Sequence, residues 1–180
     1  VLSGGAGNDT IDVTADGDNT VSGGAGDDTI SAGSGDDSID GGDGDDRIDM
    51  TDAAVDANDT VVGGDGDDIV VINDNTTSLV NINVETIEVD GATTLTLAAA
   101  TGAGSQTFDL SDAGDQVLTL SAGYTGATTV ILTGDVSNLD TVTNTADVAL
   151  TITANAADIN AATTITGGAT ATDTLNLAND

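Results

Sequence analysis

The sequence contains no cysteine, no histidine, no proline and no tryptophan, and Arg47 is its only basic residue. Without cysteine there can be no disulfide and no thiolate centre. Without histidine as well, the usual zinc ligand sets and imidazole acid–base catalysis are excluded. One Phe and one Tyr in 180 residues do not describe a conventional globular core. No run of about 18 apolar residues is present to cross a membrane as a helix, and no signal peptide opens the chain. The formal net charge is −31, from 32 acidic residues. Such a charge opposes nucleic-acid phosphates and anionic membrane surfaces and favours divalent cations.

What is present is mostly Asp, Gly, Thr and Ala, compatible either with a disordered acidic segment or with a repetitive β-structure neutralised by bound cations. The spacing of aliphatic residues decides for the second. Leu2, Ile11, Val21, Ile30, Ile39, Ile48, Val61 and Val70 follow one another at 9, 10, 9, 9, 9, 13 and 9 residues. Each after the first stands two residues beyond an Asp or Asn: Asp9, Asn19, Asp28, Asp37, Asp46, Asp59 and Asp68. A solvating acidic tail has no reason for such order. The register slips by one residue near Val13 and by four across residues 50–53. The chain opens on Val1-Leu2-Ser3, the last three residues of a unit, and ends without an evident stop, so it is expected to be part of a longer protein.

Each unit holds a six-residue turn and a three-residue strand, too short for hairpins across turns of one shared geometry. The expected solution is a coil in which two units make one turn of 18 residues. Units n and n+2 then stack at the strand spacing of about 4.8 Å. Stacking sorts the turns onto two edges. One carries residues 4–9, 23–28, 41–46 and 63–68, all complete Gly-Gly-x-Gly-x-Asp hexapeptides; the other carries residues 14–19, 32–37 and 54–59, all imperfect. Glycine suits turns that need positive φ and a close approach of backbone to a cation. In a locally extended loop, carbonyls at positions 1, 3 and 5 face one neighbour and those at 2, 4 and 6 the other. A cation between loops can then gather the six to eight hard oxygens that Ca²⁺ prefers over the tighter octahedron of Mg²⁺.

The units GGAGNDTID, GGAGDDTIS, GGDGDDRID and GGDGDDIVV have the form GGxGxDxUx, with U a large aliphatic residue. They resemble the RTX repeats of bacterial proteins exported by type I secretion, over roughly residues 1–71. The resemblance implies a parallel β-roll with several Ca²⁺ ions between loops. The implied metal residues on the complete edge are Gly4, Gly5, Gly7, Asn8 and Asp9; Gly23, Gly24, Gly26, Asp27 and Asp28; Gly41, Gly42, Gly44, Asp45 and Asp46; and Gly63, Gly64, Gly66, Asp67 and Asp68. On the other edge they are Asn19, then Gly33, Gly35, Asp36 and Asp37, then Asp59, where Ala32, Ala54 and Ala57 depart from the pattern. One aliphatic per nine residues falls far short of the entropy of ordering them, and stacked carboxylates repel, so calcium is expected to be required for folding.

Beyond Asn73 the glycine ladder stops. Residues 81–90, NINVETIEVD, alternate apolar and polar side chains as one strand would. TLTL (94–97), TFDL (107–110), VLTL (117–120), TVIL (129–132), ALTI (149–152) and TLNL (174–177) follow at roughly even spacing. Alanine runs at 98–100 and 156–162 are too short for confident helices. The expected class is all-β: an RTX β-roll over 1–73 continuing into a Thr/Ala-rich β-solenoid over 74–180, with a β-sandwich as the alternative for the second part. This order of ingredients is similar to RTX-type bacterial surface-layer proteins and to stretches of giant RTX adhesins.

Glu85 and Glu88, the only glutamates, stand three positions apart on an alternating strand and so face opposite sides, which is wrong for a shared carboxylate site. Arg47 is expected to lie exposed in a repeat turn beside Asp45, Asp46 and Asp49, and Tyr124 to have no site role. The expectation is therefore no enzyme, and instead a calcium-dependent structural segment of a secreted cell-surface protein. Its implied partners are further copies of itself in a lattice or filament, and cell-surface polysaccharide. A stalk of a secreted adhesin and the folding or export module of a secreted enzyme are the alternatives.

Overall fold

The computed structural model describes residues 1–15, 17–50, 58–72, 82–89, 94–97, 106–110, 117–120, 128–132, 141–144, 148–155, 164–168 and 172–178. The alanine runs, Tyr124, residues 51–53 of the insertion, Ala54 and Ala57 lie outside them. The first half contains β1 (Leu2–Ala6), β2 (Thr10–Val13), β3 (Thr20–Ala25), β4 (Thr29–Ala32), β5 (Ser38–Asp43), β6 (Arg47–Met50), β7 (Thr60–Asp65) and β8 (Ile69–Ile72). Then come β9 (Ile82–Asn83), β10 (Thr86–Val89), β11 (Thr94–Leu97), β12 (Gln106–Asp109), β13 (Val117–Leu120) and β14 (Thr128–Leu132). The last are β15 (Thr141–Asn144), β16 (Leu150–Asn155), β17 (Thr164–Thr166) and β18 (Thr174–Ala178).

Strands pair with the strand two places on, always in parallel, so that each coil contributes one strand to each of two faces. Even-numbered strands form one continuous nine-stranded sheet from β2 to β18; odd-numbered strands form a five-stranded sheet, β1 to β9, and a four-stranded sheet, β11 to β17. The architecture is a parallel β-solenoid. Antiparallel pairing, which a sandwich requires, does not occur among the described strands. Composition changes after residue 73, yet the even face carries on across that point, with Ile87 of β10 opposite Val70 of β8.

The core is a column of one or two aliphatic residues per strand. Ile30, Ile48, Val70, Ile87, Phe108 and Val130 are fully buried along the even face, and Ile39, Val61, Leu118 and Val142 along the odd face. Leu2, expected in this column, is 45% exposed because its strand is at the edge of the stack. The segment NINVETIEVD is not one strand. Ile82 and Val84 are buried, then Ile87 and Val89; the alternation changes phase at Glu85, and there the chain turns from the odd face to the even one.

Candidate metal centre

Loops 4–9, 23–28, 41–46 and 63–68 lie on one edge, each leading from an odd strand to the next even strand. Their glycines at positions 2 and 4 have positive φ throughout, from 112° at Gly5 and 101° at Gly7 to 125° at Gly64 and 150° at Gly66. The odd strands run through position 3, so Gly5, Gly24, Gly42 and Gly64 are paired in register. A Cβ on Gly24, Gly42 or Gly64 would strike the carbonyl oxygen of the glycine stacked before it. Position-2 carbonyls thus face the following loop. Position-3 carbonyls face the preceding one: Ala25, Asp43 and Asp65 accept from the amides of Gly7, Gly26 and Gly44.

The acidic residues form two columns. At position 6, Asp9 N donates to Asp28 Oδ1 (2.7 Å), Asp28 N to Asp46 Oδ1 (2.8 Å) and Asp46 N to Asp68 Oδ1 (2.9 Å). At position 5 the reach is reversed: Asp27 N donates to Asn8 Oδ1, Asp45 N to Asp27 Oδ1 and Asp67 N to Asp45 Oδ1. The carboxylates of Asp28, Asp46 and Asp68 therefore each spend one oxygen on the stack, which Asp9 enters through its amide alone. The other oxygens, Oδ2 of Asp9, Asp28, Asp46 and Asp68, are buried and have no hydrogen-bond partner.

Those unpartnered oxygens point into a repeated cavity. A Cβ on Gly4 would lie 2.5 Å from Asp9 Oδ2 and 2.7 Å from the carbonyl oxygen of Gly23 in the next loop. Gly23 stands in the same relation to Asp28 Oδ2 and the Gly41 carbonyl, and Gly41 to Asp46 Oδ2 and the Gly63 carbonyl. A carboxylate and a carbonyl oxygen thus converge beside a position that only glycine leaves open. Hard oxygen donors in this arrangement fit a calcium ion. Among the described residues no three acidic side chains converge, so such an ion takes most of its ligands from backbone carbonyls. Burial pushes the Asp46 carboxyl above its usual value, and raises Asp68 to about 6, with the nearby Glu85 charge adding to the effect.

The second edge keeps the hydrogen-bond ladder and loses the cavity. Asn19 N donates to Asp37 Oδ1 and Asp37 N to Asp59 Oδ1, both at 2.8 Å, and Asp36 N donates to Asp18 Oδ1. Gly17 and Gly35 have positive φ, but Gly33 does not. The Asn19 amide folds onto its own loop, Nδ2 donating to the Gly17 carbonyl at 2.6 Å. Position 1 here is held by the paired residues Val13, Ala32 and Met50, which belong to the hydrophobic core. Thr14, expected at position 1 of its loop, instead stands opposite Gly33, one residue further on. Asp37 Oδ2 is the one unpartnered buried carboxylate oxygen found on this edge among the described residues.

Two functional contacts escaped the sequence reading. Glu85 Oε2 accepts from Asp68 N at 3.0 Å, which makes it the next rung of the position-6 column. The signal was available, since Glu85 precedes Ile87 by two residues as each ladder Asp precedes its aliphatic. Arg47 opens β6 rather than lying in a turn, and its guanidinium bridges to Glu88 at 2.8 Å. The pair crosses β8, whose Ile69 and Val71 lie in register between β6 and β10.

Residues 1–15, 13–48 and 54–71 match the RTX calcium-binding nonapeptide repeat, in 4 copies. No curated protein and no solved structure matches the chain. The coils formed within residues 1–71 are thus built from RTX calcium-binding nonapeptide repeats, and Ca²⁺ is the ion they bind.

Proposed function

We propose that the chain is a calcium-dependent structural segment of a secreted bacterial cell-surface protein, which orders when it meets extracellular calcium and then assembles with further copies into a surface layer or related lattice. The observation that carries this reading is the column of buried, unpartnered Oδ2 atoms at Asp9, Asp28, Asp46 and Asp68. A buried carboxylate oxygen without a partner opposes folding, and the column repeats that cost in each of the four complete nonapeptide loops. The chain has no internal remedy, because its single basic residue, Arg47, is engaged with Glu88 on an outer face. A cation from solution removes the cost by binding only the folded state. Calcium affinities of extracellular modules, about 10⁻⁴ to 10⁻³ M, would leave the chain unfolded and exportable in a calcium-poor cytosol.

Circular dichroism of the chain with and without a calcium chelator tests the folding step. A gain of β-structure on adding millimolar Ca²⁺, reversed by chelation, is expected; unchanged β content after chelation overturns the reading. Electron microscopy of the full-length protein tests assembly, with calcium-dependent sheets or filaments expected and a monomer at millimolar Ca²⁺ counting against it. The long even-face sheet also suits a rigid stalk. A ligand-binding domain elsewhere in the full-length protein, together with a monomeric rod, would favour that alternative.

A further inference from the structure

The last two coils repeat, far from the nonapeptides, the geometry of the calcium ladder. Asp173 occupies the position-6 column, one residue before Thr174, which pairs with Thr151. Its Oδ1 accepts from Leu150 N at 3.2 Å, the same rung that joins Asp9 to Asp28. A Cβ on Gly167 would collide with Asp173 Oδ2, as one on Gly23 would with Asp28 Oδ2. Gln106, Thr128 and Leu150 fill the column between Glu85 and Asp173, so the carboxylate returns after three coils without one.

Asn144 supplies an independent observation. Thr143 pairs with Thr166, which places Asn144 and Gly167 at equivalent positions of successive coils. In the two coils before, Leu97 and Leu120 hold that position. Asn144 is 2% exposed. Its Nδ2 donates to the Val148 carbonyl at 2.7 Å, which sets the amide orientation, since the reverse would place oxygen against oxygen. Oδ1 is then left buried without a partner. An amide has replaced leucine at a core position, and its free acceptor belongs to the coil directly before the Gly167 and Asp173 pair. Asn144 Oδ1 lacks a donor, and Asp173 Oδ2 lies against Gly167, the residue stacked on Asn144 in the next coil.

The geometry points to a calcium site between the last two coils, outside the nonapeptide block, with Asn144 Oδ1 and Asp173 Oδ2 as its side-chain oxygens and the Gly167-Gly168 backbone as its side-chain-free wall. Carboxylate, amide and carbonyl oxygens with no nitrogen or sulfur select a hard ion, and a partly solvated site without a strict octahedron of ligands suits Ca²⁺ over Mg²⁺. Asp173 is exposed, so the ion keeps water and binds more weakly than in the ladder. The site pins the far coils by a means separate from the ladder.

Two variants of the whole chain test it. Asp173→Asn keeps an acceptor for Leu150 N and removes the charge; Asn144→Leu restores the residue of the preceding coils. Equilibrium dialysis against millimolar CaCl₂, with the metal counted by atomic absorption, should show one ion fewer per chain for each. Hydrogen exchange of peptides covering residues 148–155 should be slowed by Ca²⁺ in the parent chain and not in either variant, while residues 1–72 keep their protection. An unchanged ion count in both folded variants overturns the site. If the variants lose β-structure, a calcium titration of the parent chain decides. Protection of 148–155 with its own midpoint supports the site, and a midpoint shared with residues 1–72, or no response, overturns it.

Discussion

The two edges of the first coils follow one nine-residue plan and differ in what stands at its first position. On one edge Gly4, Gly23, Gly41 and Gly63 leave room beside a buried carboxylate oxygen; on the other Val13, Ala32 and Met50 send side chains into the core. The hydrogen-bond ladder through the position-6 residues is common to both. Ladder and cavity are therefore separable. A carboxylate repeated at the coil spacing organises the backbone on either edge, and the size of position 1 determines whether the same volume serves hydrophobic packing or cation binding. Each coil does one on each side.

The largest test of this division is calcium removal. It should abolish most of the β-structure of residues 1–72, read by circular dichroism, because the complete edge has nothing else to satisfy its Oδ2 atoms. Next in size is Gly41→Val, which imposes second-edge chemistry on the complete edge. Its side chain meets Asp46 Oδ2 and the Gly63 carbonyl, and a loss of about 2 to 3 kcal/mol at fixed Ca²⁺ is expected in chemical unfolding. The converse change, Ala32→Gly, should cost only about 1 kcal/mol and add no ion, because Gly33 lacks the positive φ that follows position 1 on the complete edge. An additional ion in dialysis would break the comparison.

Smaller effects sharpen it. In chelator, the raised pKa of Asp68, about 6 against 3.8, means that the folded chain holds this proton more tightly than the unfolded one. Stability contributed by the group is thus full below about pH 4 and lost as pH rises to about 6. Calcium reverses the trend by competing for the same oxygen. Residual structure measured against pH should show both slopes, and Asp68→Asn should remove this group's share of each. The smallest effect is expected at the outer face. Arg47→Ala breaks an exposed ion pair with Glu88, and equilibrium unfolding should register no more than about 1 kcal/mol.

Much of this was legible because a solenoid writes its geometry as a period. Ile11, Ile30, Ile48 and Val70 gave the even face, the doubling of nine to about 18 gave the stack, and the complete hexapeptides gave the edge with the cavities. The second inward position was not legible, because Val13, Ala32 and Met50 have little in common as side chains and their alignment appears only in the strand register. NINVETIEVD read as one strand because polar residues surround its phase change, and nothing in its composition marks a corner. The strands TVTN and TIT were missed because each has one aliphatic residue, and because Asn144 stands where the pattern asks for leucine. That substitution obscured the strand and is also the one that makes the far site visible.

The parallel register has a kinetic consequence. Each strand meets its partner about one coil away along the chain, 19 residues from Leu2 to Val21 and 23 from Thr151 to Thr174. The entropy of closing a loop is then nearly the same small quantity at every step, however long the stack becomes. A formed coil offers a template to each neighbour, and growth becomes one-dimensional, like a zipper that can start anywhere and run both ways. A chain that emerges gradually into calcium can order coil by coil as it appears, without waiting for its far end.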